Sequence, residues 1–307
     1  MRVAILGATS HIAKSLILEF HKTGECELYL FARSLNSVQS FLESIGAANS
    51  LLIKIKSFSE FSDNDYEAVI NCVGIGNKAT LANEFSSIFN ITEMFDDLVL
   101  TYLQKHQQTY YINFSSGAAY GVDFSVPVDV TSQSKFNLNS IADSEYYGIA
   151  KINSEAKHRV FKQLNIIDLR VFGYFSRFID LNDKYLLSDI INCLKNNLVF
   201  VTGPGTIVRD FVHPQDLFSL IKACLKVNQI NDVFDVYSAR PATKFEIIDH
   251  FVLHHGLKYS VETSYVALNV TGAKDCYYSN NFKASSIGYE PKFSSMDGIK
   301  EEIKFLL

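Results

Sequence analysis

Cysteine is scarce in this chain of 307 residues. The five thiols (Cys26, Cys72, Cys193, Cys224 and Cys276) are odd in number, scattered, and include no Cys-x-x-Cys pair. That pattern excludes a zinc knuckle, a dithiol redox motif and a disulfide framework, and fits reduced thiols in a cytoplasm. Runs of one charge are missing too. Against 33 acidic side chains stand 28 basic ones, unclustered, for a net charge of −5, so neither a nucleic-acid surface nor a nucleic-acid partner is expected. Nor is there a membrane-length apolar run at the N-terminus. Only Arg2 precedes Val3–Leu6, which is too short for a signal peptide or a span and reads as a first strand, with no membrane association expected. No repeat and no low-complexity linker interrupts the sequence. What is present is apolar content of 48%, enough for the core of one large α/β domain, alone or with a smaller lobe, and suited to small-molecule chemistry.

Strand-length runs at Val3–Leu6, Leu28–Phe31, Leu51–Ile55, Ala68–Val73, Tyr110–Phe114 and Ile166–Val171 alternate with helix-length segments. This alternation predicts an α/β fold with a doubly wound parallel sheet. Ile12, Ala13, Leu16, Ile17 and Phe20 fall at helical spacing in the first intervening segment, and Glu84–Gln108 is a long helix candidate. After residue 171 the alternation becomes irregular. A Gly203-Pro204-Gly205 turn, a short strand Val233–Tyr237 and a helix-like Lys244–His255 suggest a smaller lobe. The expected division is 1–171 and 172–307, with some later segments returning to the first domain.

The first strand runs into Gly7-Ala8-Thr9-Ser10-His11-Ile12-Ala13, a turn opening a helix whose backbone N–H groups and dipole suit a pyrophosphate. Gly7, Ser10 and Ala13 keep the spacing of a dinucleotide loop, but serine replaces the middle glycine, and Ser10 reads equally as an ordinary helix N-cap. The second strand ends Leu30-Phe31-Ala32-Arg33-Ser34, without the acid that would meet an NAD ribose. Arg33 suits a ribose 2′-phosphate, with Ser34 as an extra donor, so NADP(H) is expected before NAD. A solvated surface arginine is the plainer alternative. Cys72, Val73 and Gly74 close the fourth strand, where small residues let a cofactor cross the sheet edge. With no histidine nearby in sequence, Cys72 reads as a structural thiol.

Tyr147 and Lys151 stand four apart, on one face of a helix. Among 16 tyrosines and 28 basic residues such spacing arises by chance, as at Tyr29 and Arg33. Context adds weight, because the fifth strand delivers Ser115 and Ser116 at its C-terminal end, followed by Gly117-Ala118-Ala119-Tyr120-Gly121. With Ser115–Gly121 and Tyr147–Lys151 the chain resembles the extended short-chain dehydrogenase/reductase family, also called the NAD-dependent epimerase/dehydratase family, whose domain is of the Rossmann type. The chemistry of the set is proton transfer by Tyr147 at a carbon exchanging hydride, with Ser116 bonding the substrate oxygen. The resemblance implies that Lys151 lowers the tyrosine's pKa and holds the nicotinamide ribose. It also implies cofactor contacts from Gly7, Thr9, Ser10, His11, Ile12, Arg33, Ser34, Cys72, Val73, Gly74, Tyr147 and Lys151.

Leu169-Arg170-Val171-Phe172-Gly173-Tyr174 is similar to a family segment in which an asparagine often meets substrate diphosphate; Gly173 stands there instead. Gly203–Leu217, containing Arg209-Asp210-Phe211-Val212-His213, is similar to the branch acting on nucleotide-linked sugars. That resemblance makes Arg209 a diphosphate clamp, and Ser116 and Tyr147 substrate contacts. His213, Asp210 and Asp216 read as structural groups. Gly117 and Ala118 stand where family dehydratases carry an acidic pair, and no cysteine lies at 115–118 for added C3/C5 epimerisation. Redox at C4 remains: an NADPH-dependent reductase of 4-keto-6-deoxy nucleotide sugars, favoured by Arg33, ahead of a 4-epimerase retaining NAD. A redox-inactive NADP(H)-binding sensor or scaffold is the reading outside enzymology. No metal is expected, and the resemblance implies a homodimer through Glu84–Gln108 and the helix bearing Tyr147.

Overall fold

Alternating apolar strands and amphipathic segments fold in chain order in the computed structural model, which describes residues 1–74, 85–263 and 274–307. The chain begins β1 (Arg2–Leu6), α1 (His11–Thr23), β2 (Glu27–Phe31), α2 (Leu35–Ser44), β3 (Ile53–Lys56) and β4 (Ala68–Asn71). It continues with α3 (Phe85–Lys105), β5 (Tyr110–Ser116), α4 (Tyr146–Val160) and β6 (Asn165–Val171). Then come α5 (Leu186–Lys195), β7 (Val199–Thr202), β8 (Val208–Arg209), α6 (Pro214–Cys224) and β9 (Asn231–Val236). The last elements are β10 (Ala242–Thr243), α7 (Lys244–His255), β11 (Lys258–Val261), β12 (Cys276–Tyr277) and α8 (Ser295–Ile303).

Seven parallel strands form the main sheet in the order β3-β2-β1-β4-β5-β6-β9. Val3, Ala4, Ile5 and Leu6 are wholly buried, as a strand covered on both faces must be. One face carries α1, α2 and α6, through Leu16, Phe20, Val38, Leu42, Leu217 and Ile221. The other carries α3, through Phe95, Val99 and Leu103. Strand order reverses between β1 and β4, and at such a switch point the strand ends leave a crevice open for a ligand.

The segment Val233–Tyr237, read as part of the smaller lobe, belongs instead to the main sheet. It is the body of β9, pairs along β6, and buries Phe234 and Val236 in the core beneath α1. Helix α6 returns with it, Phe218 meeting Phe20 edge-on at 4.8 Å. The strand expected at Leu51–Ile55 starts only at Ile53, because Leu51 is 94% exposed in the preceding turn. The expected helix Glu84–Gln108 corresponds to α3, Glu84 lying outside the described residues. The lobe itself packs α5, α7 and α8 about Ile190, Ile247, Phe251 and Ile299, with two small sheets, β10-β8-β12 and β11-β7. Among the described residues no helix is long and apolar enough to cross a membrane.

Candidate active site

Gly7 adopts a positive φ of 74°, and a Cβ there would lie 2.9 Å from the carbonyl carbon and oxygen of Cys72. Only glycine lets the β1–α1 turn close against the end of β4. A groove of about 1140 Å³ opens beside it, and its lining includes Gly7, Thr9, Ser10, Arg33, Cys72, Val73 and Gly74, with Phe58, Ile91, Met94 and Phe95. The cradle left by a missing Cβ, at a helix N-terminus beside an apolar wall, fits a dinucleotide. Ser10 is the N-cap of α1, accepting from the Ala13 N–H at 3.3 Å. His11 does not line the groove. Its ring turns to Ser176 Oγ at 2.8 Å and Tyr174, and burial lowers its pKa to about 4. Ile12 packs into the core. Ser34 caps α2, accepting from Ser37 N–H at 3.2 Å, while exposed Arg33 has no ion-pair partner among the described residues. Burial pushes the Cys72 thiol up, away from nucleophilic use.

Ser116, Tyr147 and Lys151 meet at the end of β5. Ser116 Oγ accepts from Ala118 N–H at 3.2 Å, capping the short turn Gly117–Tyr120. Against that turn rests the first turn of α4, which requires Gly148: a Cβ there would lie 2.2 Å from Ala118 O. Buried Lys151 donates from Nζ to Phe114 O at 2.8 Å, two residues before Ser116, and lies 5.7 Å from the Tyr147 ring centre. The Tyr147 hydroxyl has no hydrogen-bond partner among the described residues, which leaves it open to a ligand. Behind the trio, Ser115 donates to Glu155 at 2.5 Å. Arg170 grips the same carboxylate at 2.5 and 2.9 Å and stacks 4.4 Å from the Tyr120 ring, tying α4, β5 and β6 together. Gly117 faces the Phe172 ring, which a Cβ would meet at 2.4 Å. An acid at this position has no room.

Among the described residues half-buried Arg209 donates to backbone carbonyls alone, Val208 O at 2.8 Å and Asp275 O at 3.4 Å, and it pairs with no carboxylate there. Gly173 has a steric reason: a Cβ would come within 2.4 Å of Asp210 O, leaving no space for asparagine. Asp210 accepts from Ser238 N–H and Ser295 Oγ, both at 3.0 Å. Asp216 accepts from Lys292 and Phe293 N–H groups at 2.9 and 3.0 Å. His213 caps α6 through Nδ1 and stacks 4.0 Å from Phe293. These three hold the lobe to the sheet.

The family model of the NAD dependent epimerase/dehydratase family matches residues 3–237. The chain belongs to that family. Its solved neighbours include UDP-glucuronic acid 4-epimerase from Bacillus cereus, 18% identical, with a TM-score of 0.82 over 100% of this chain and 99% of that one. UDP-glucose-4-epimerase from Stenotrophomonas maltophila, with NAD bound, is 17% identical at a TM-score of 0.83 over 100% and 98%. dTDP-glucose 4,6-dehydratase from Bacillus anthracis, also with NAD, is 15% identical at 0.77 over 99% and 96%. At these identities the likeness is one of fold. No curated protein matches the chain in sequence.

Two residues outside the family motifs enter the site from β12 and the residues before it. Tyr277 OH lies 3.2 Å from Ser116 Oγ. Lys274, 5% exposed, sets its Nζ 4.1 Å from the Tyr277 ring and 4.8 Å from that of Phe124. Burial and the neighbouring Arg209 lower the lysine's pKa to about 7. Strand β12 pairs with β8 so that Tyr277 stands opposite Arg209. A two-residue strand carries no readable period, so spacing in the sequence gives these residues no signal.

Proposed function

We propose that this family member inverts C4 of a nucleotide-linked sugar by oxidising and re-reducing that carbon, as a 4-epimerase. One observation carries the reading: Ser116, Tyr147 and Lys151 converge on one strand end, beside a glycine that Phe172 keeps free of any acid. Solved neighbours named as UDP-glucuronic acid and UDP-glucose 4-epimerases, with NAD and UDP-linked sugars bound and nearly full coverage of both chains, support it. Gly7, Thr9, Ser10, Cys72, Val73 and Gly74 would hold the dinucleotide. A bound nicotinamide supplies the position to which hydride leaves and from which it returns. Tyr147 takes the proton of the C4 hydroxyl as the carbon is oxidised and gives it back after the sugar has turned. The Lys151 charge favours the phenolate, Ser116 donates to the C4 oxygen, and Arg209 grips the diphosphate.

Arg33 supports a second reading, an NADPH-consuming reduction of a 4-keto-6-deoxy nucleotide sugar, because it lines the groove at the end of β2 with no ion-pair partner among the described residues, and no acid directly follows that strand. A homodimer through α3 and α4 accompanies either reading; light scattering at the mass of one chain, 34.6 kDa, would remove it. The deciding assay incubates the protein with a panel of UDP- and dTDP-linked sugars, follows C4 inversion by NMR, and follows absorbance at 340 nm. Inversion without net cofactor consumption is expected. Stoichiometric NADPH oxidation by 4-keto sugars, without inversion of the others, favours the reductase. Tyr147→Phe should keep cofactor binding and lose turnover.

A further inference from the structure

We propose that Tyr277 is a positioning residue for Ser116, its phenol holding the serine hydroxyl so that the serine proton points at the substrate oxygen. The inference rests on the proposed C4 chemistry and adds to it a residue from the other side of the site. Ser116 Oγ has one proton and two lone pairs. One lone pair receives the Ala118 N–H at 3.2 Å. Tyr277 OH, 3.2 Å away, finds no acceptor except this oxygen among the described residues, and a phenol shielded by Phe124, Phe172 and Lys274 favours keeping one. With both lone pairs taken, the serine's own O–H is left as a donor facing the space beside Tyr147. Without Tyr277 the hydroxyl can rotate and spend its proton elsewhere.

The tyrosine is built to stay in place. Phe124 packs edge-on against its ring at 4.6 Å and Phe172 lies at 5.3 Å, while Lys274 covers one face. Its strand is fixed by Cys276 N–H donating to Phe124 O at 2.8 Å and by the pairing with β8. Because Tyr277 stands opposite Arg209, the strand pair that presents the diphosphate clamp also presents the group that orients the catalytic serine.

Two double-mutant cycles on Ser116→Ala and Tyr277→Phe test this, one on urea unfolding of the protein without sugar, the other on turnover of the nucleotide sugar. Tyr277→Phe keeps the ring contacts and removes the hydroxyl that meets Ser116 Oγ and the Ala118 N–H. It should lower kcat about tenfold and leave KM within twofold. The double variant should turn over no more slowly than Ser116→Ala alone, and its loss of stability should fall short of the two single losses combined. Additive unfolding losses would mean that the bond is not made and would overturn the proposal. Non-additive unfolding with additive turnover would make the bond structural only, overturning the proposal equally. A wild type inactive on every sugar would remove the C4 reading and this role with it, whereas an active wild type with additive losses removes the role alone.

Discussion

Replacing His158 with glutamine should make the protein's stability respond differently to pH, by an amount the structure sets. His158 is wholly buried on α4. Its Nε2 lies 2.6 Å from Asp96 on α3 and its Nδ1 2.9 Å from Asp168 on β6. Lys157 also pairs with Asp96, and Arg159 with Asp168, both at 2.6 Å, while Tyr111 OH donates to Asp96 at 3.0 Å. Burial alone would lower the histidine's pKa, but the flanking carboxylates outweigh it and raise the pKa from 6.5 to about 9. At about 1.4 kcal/mol per factor of ten in proton affinity, that rise is worth about 3 kcal/mol. Because the folded pKa lies above the unfolded one, this stabilisation is complete below pH 6.5 and is lost as pH climbs through 9. Lys274 works in the opposite sense: its folded pKa is lowered to about 7, so its contribution to stability rises as pH climbs from there toward the range of a free lysine. The wild-type curve alone therefore mixes opposing trends, those of the buried thiols included. The difference between wild type and His158→Gln cancels the groups common to both, and urea unfolding followed by circular dichroism should show it shrinking by about 3 kcal/mol between roughly pH 6 and pH 10. A difference that stays constant across that range would refute a charged His158 between the two carboxylates.

Arg33→Ala should weaken NADP(H) binding about tenfold in titration calorimetry and leave NAD(H) within twofold; equal changes for both would free Arg33 from any 2′-phosphate. Gly148→Ala should cost about 1–3 kcal/mol in thermal or urea unfolding and lower turnover more than tenfold, because the new methyl would push α4 from the Ser116 turn. Unchanged values would mean the helix and the turn are not in contact. Arg209→Ala should raise KM for the nucleotide sugar about tenfold or more, with cofactor affinity unaltered. A loss in kcat alone would place the guanidinium at the reacting carbon instead of the diphosphate.

What sequence reading captured is what local geometry fixes. Gly7 follows a strand and opens a helix, so its surroundings follow from one turn. Tyr147 and Lys151 sit on one helical face because four residues make about one turn, and Ser116 ends a strand whose apolar run is plain. The boundary of the lobe was less legible. Val233–Tyr237 has the composition of any short strand, and only its pairing with β6, more than sixty residues earlier, puts it in the main sheet. His11 escapes the sequence for a related reason: its place in the loop follows from the chain, while its ring follows Ser176 and Tyr174 from the lobe side.

Tyr277 is the extreme case, and it bears on how the reaction is set. Its two-residue strand has meaning only once β8 is beside it, and β8 is itself two residues long. Half of the Ser116 environment, Ala118 N–H and the strand end, comes from the domain that carries the recognisable motif. The other half comes from β12, which no spacing rule specifies. On the proposed C4 chemistry, a substitution in β12 changes the orientation of the Ser116 hydroxyl while Ser116, Tyr147 and Lys151 stay intact. If the proposed C4 chemistry holds, motif presence alone is insufficient to set it, and the kcat of Tyr277→Phe measures how much of it β12 supplies.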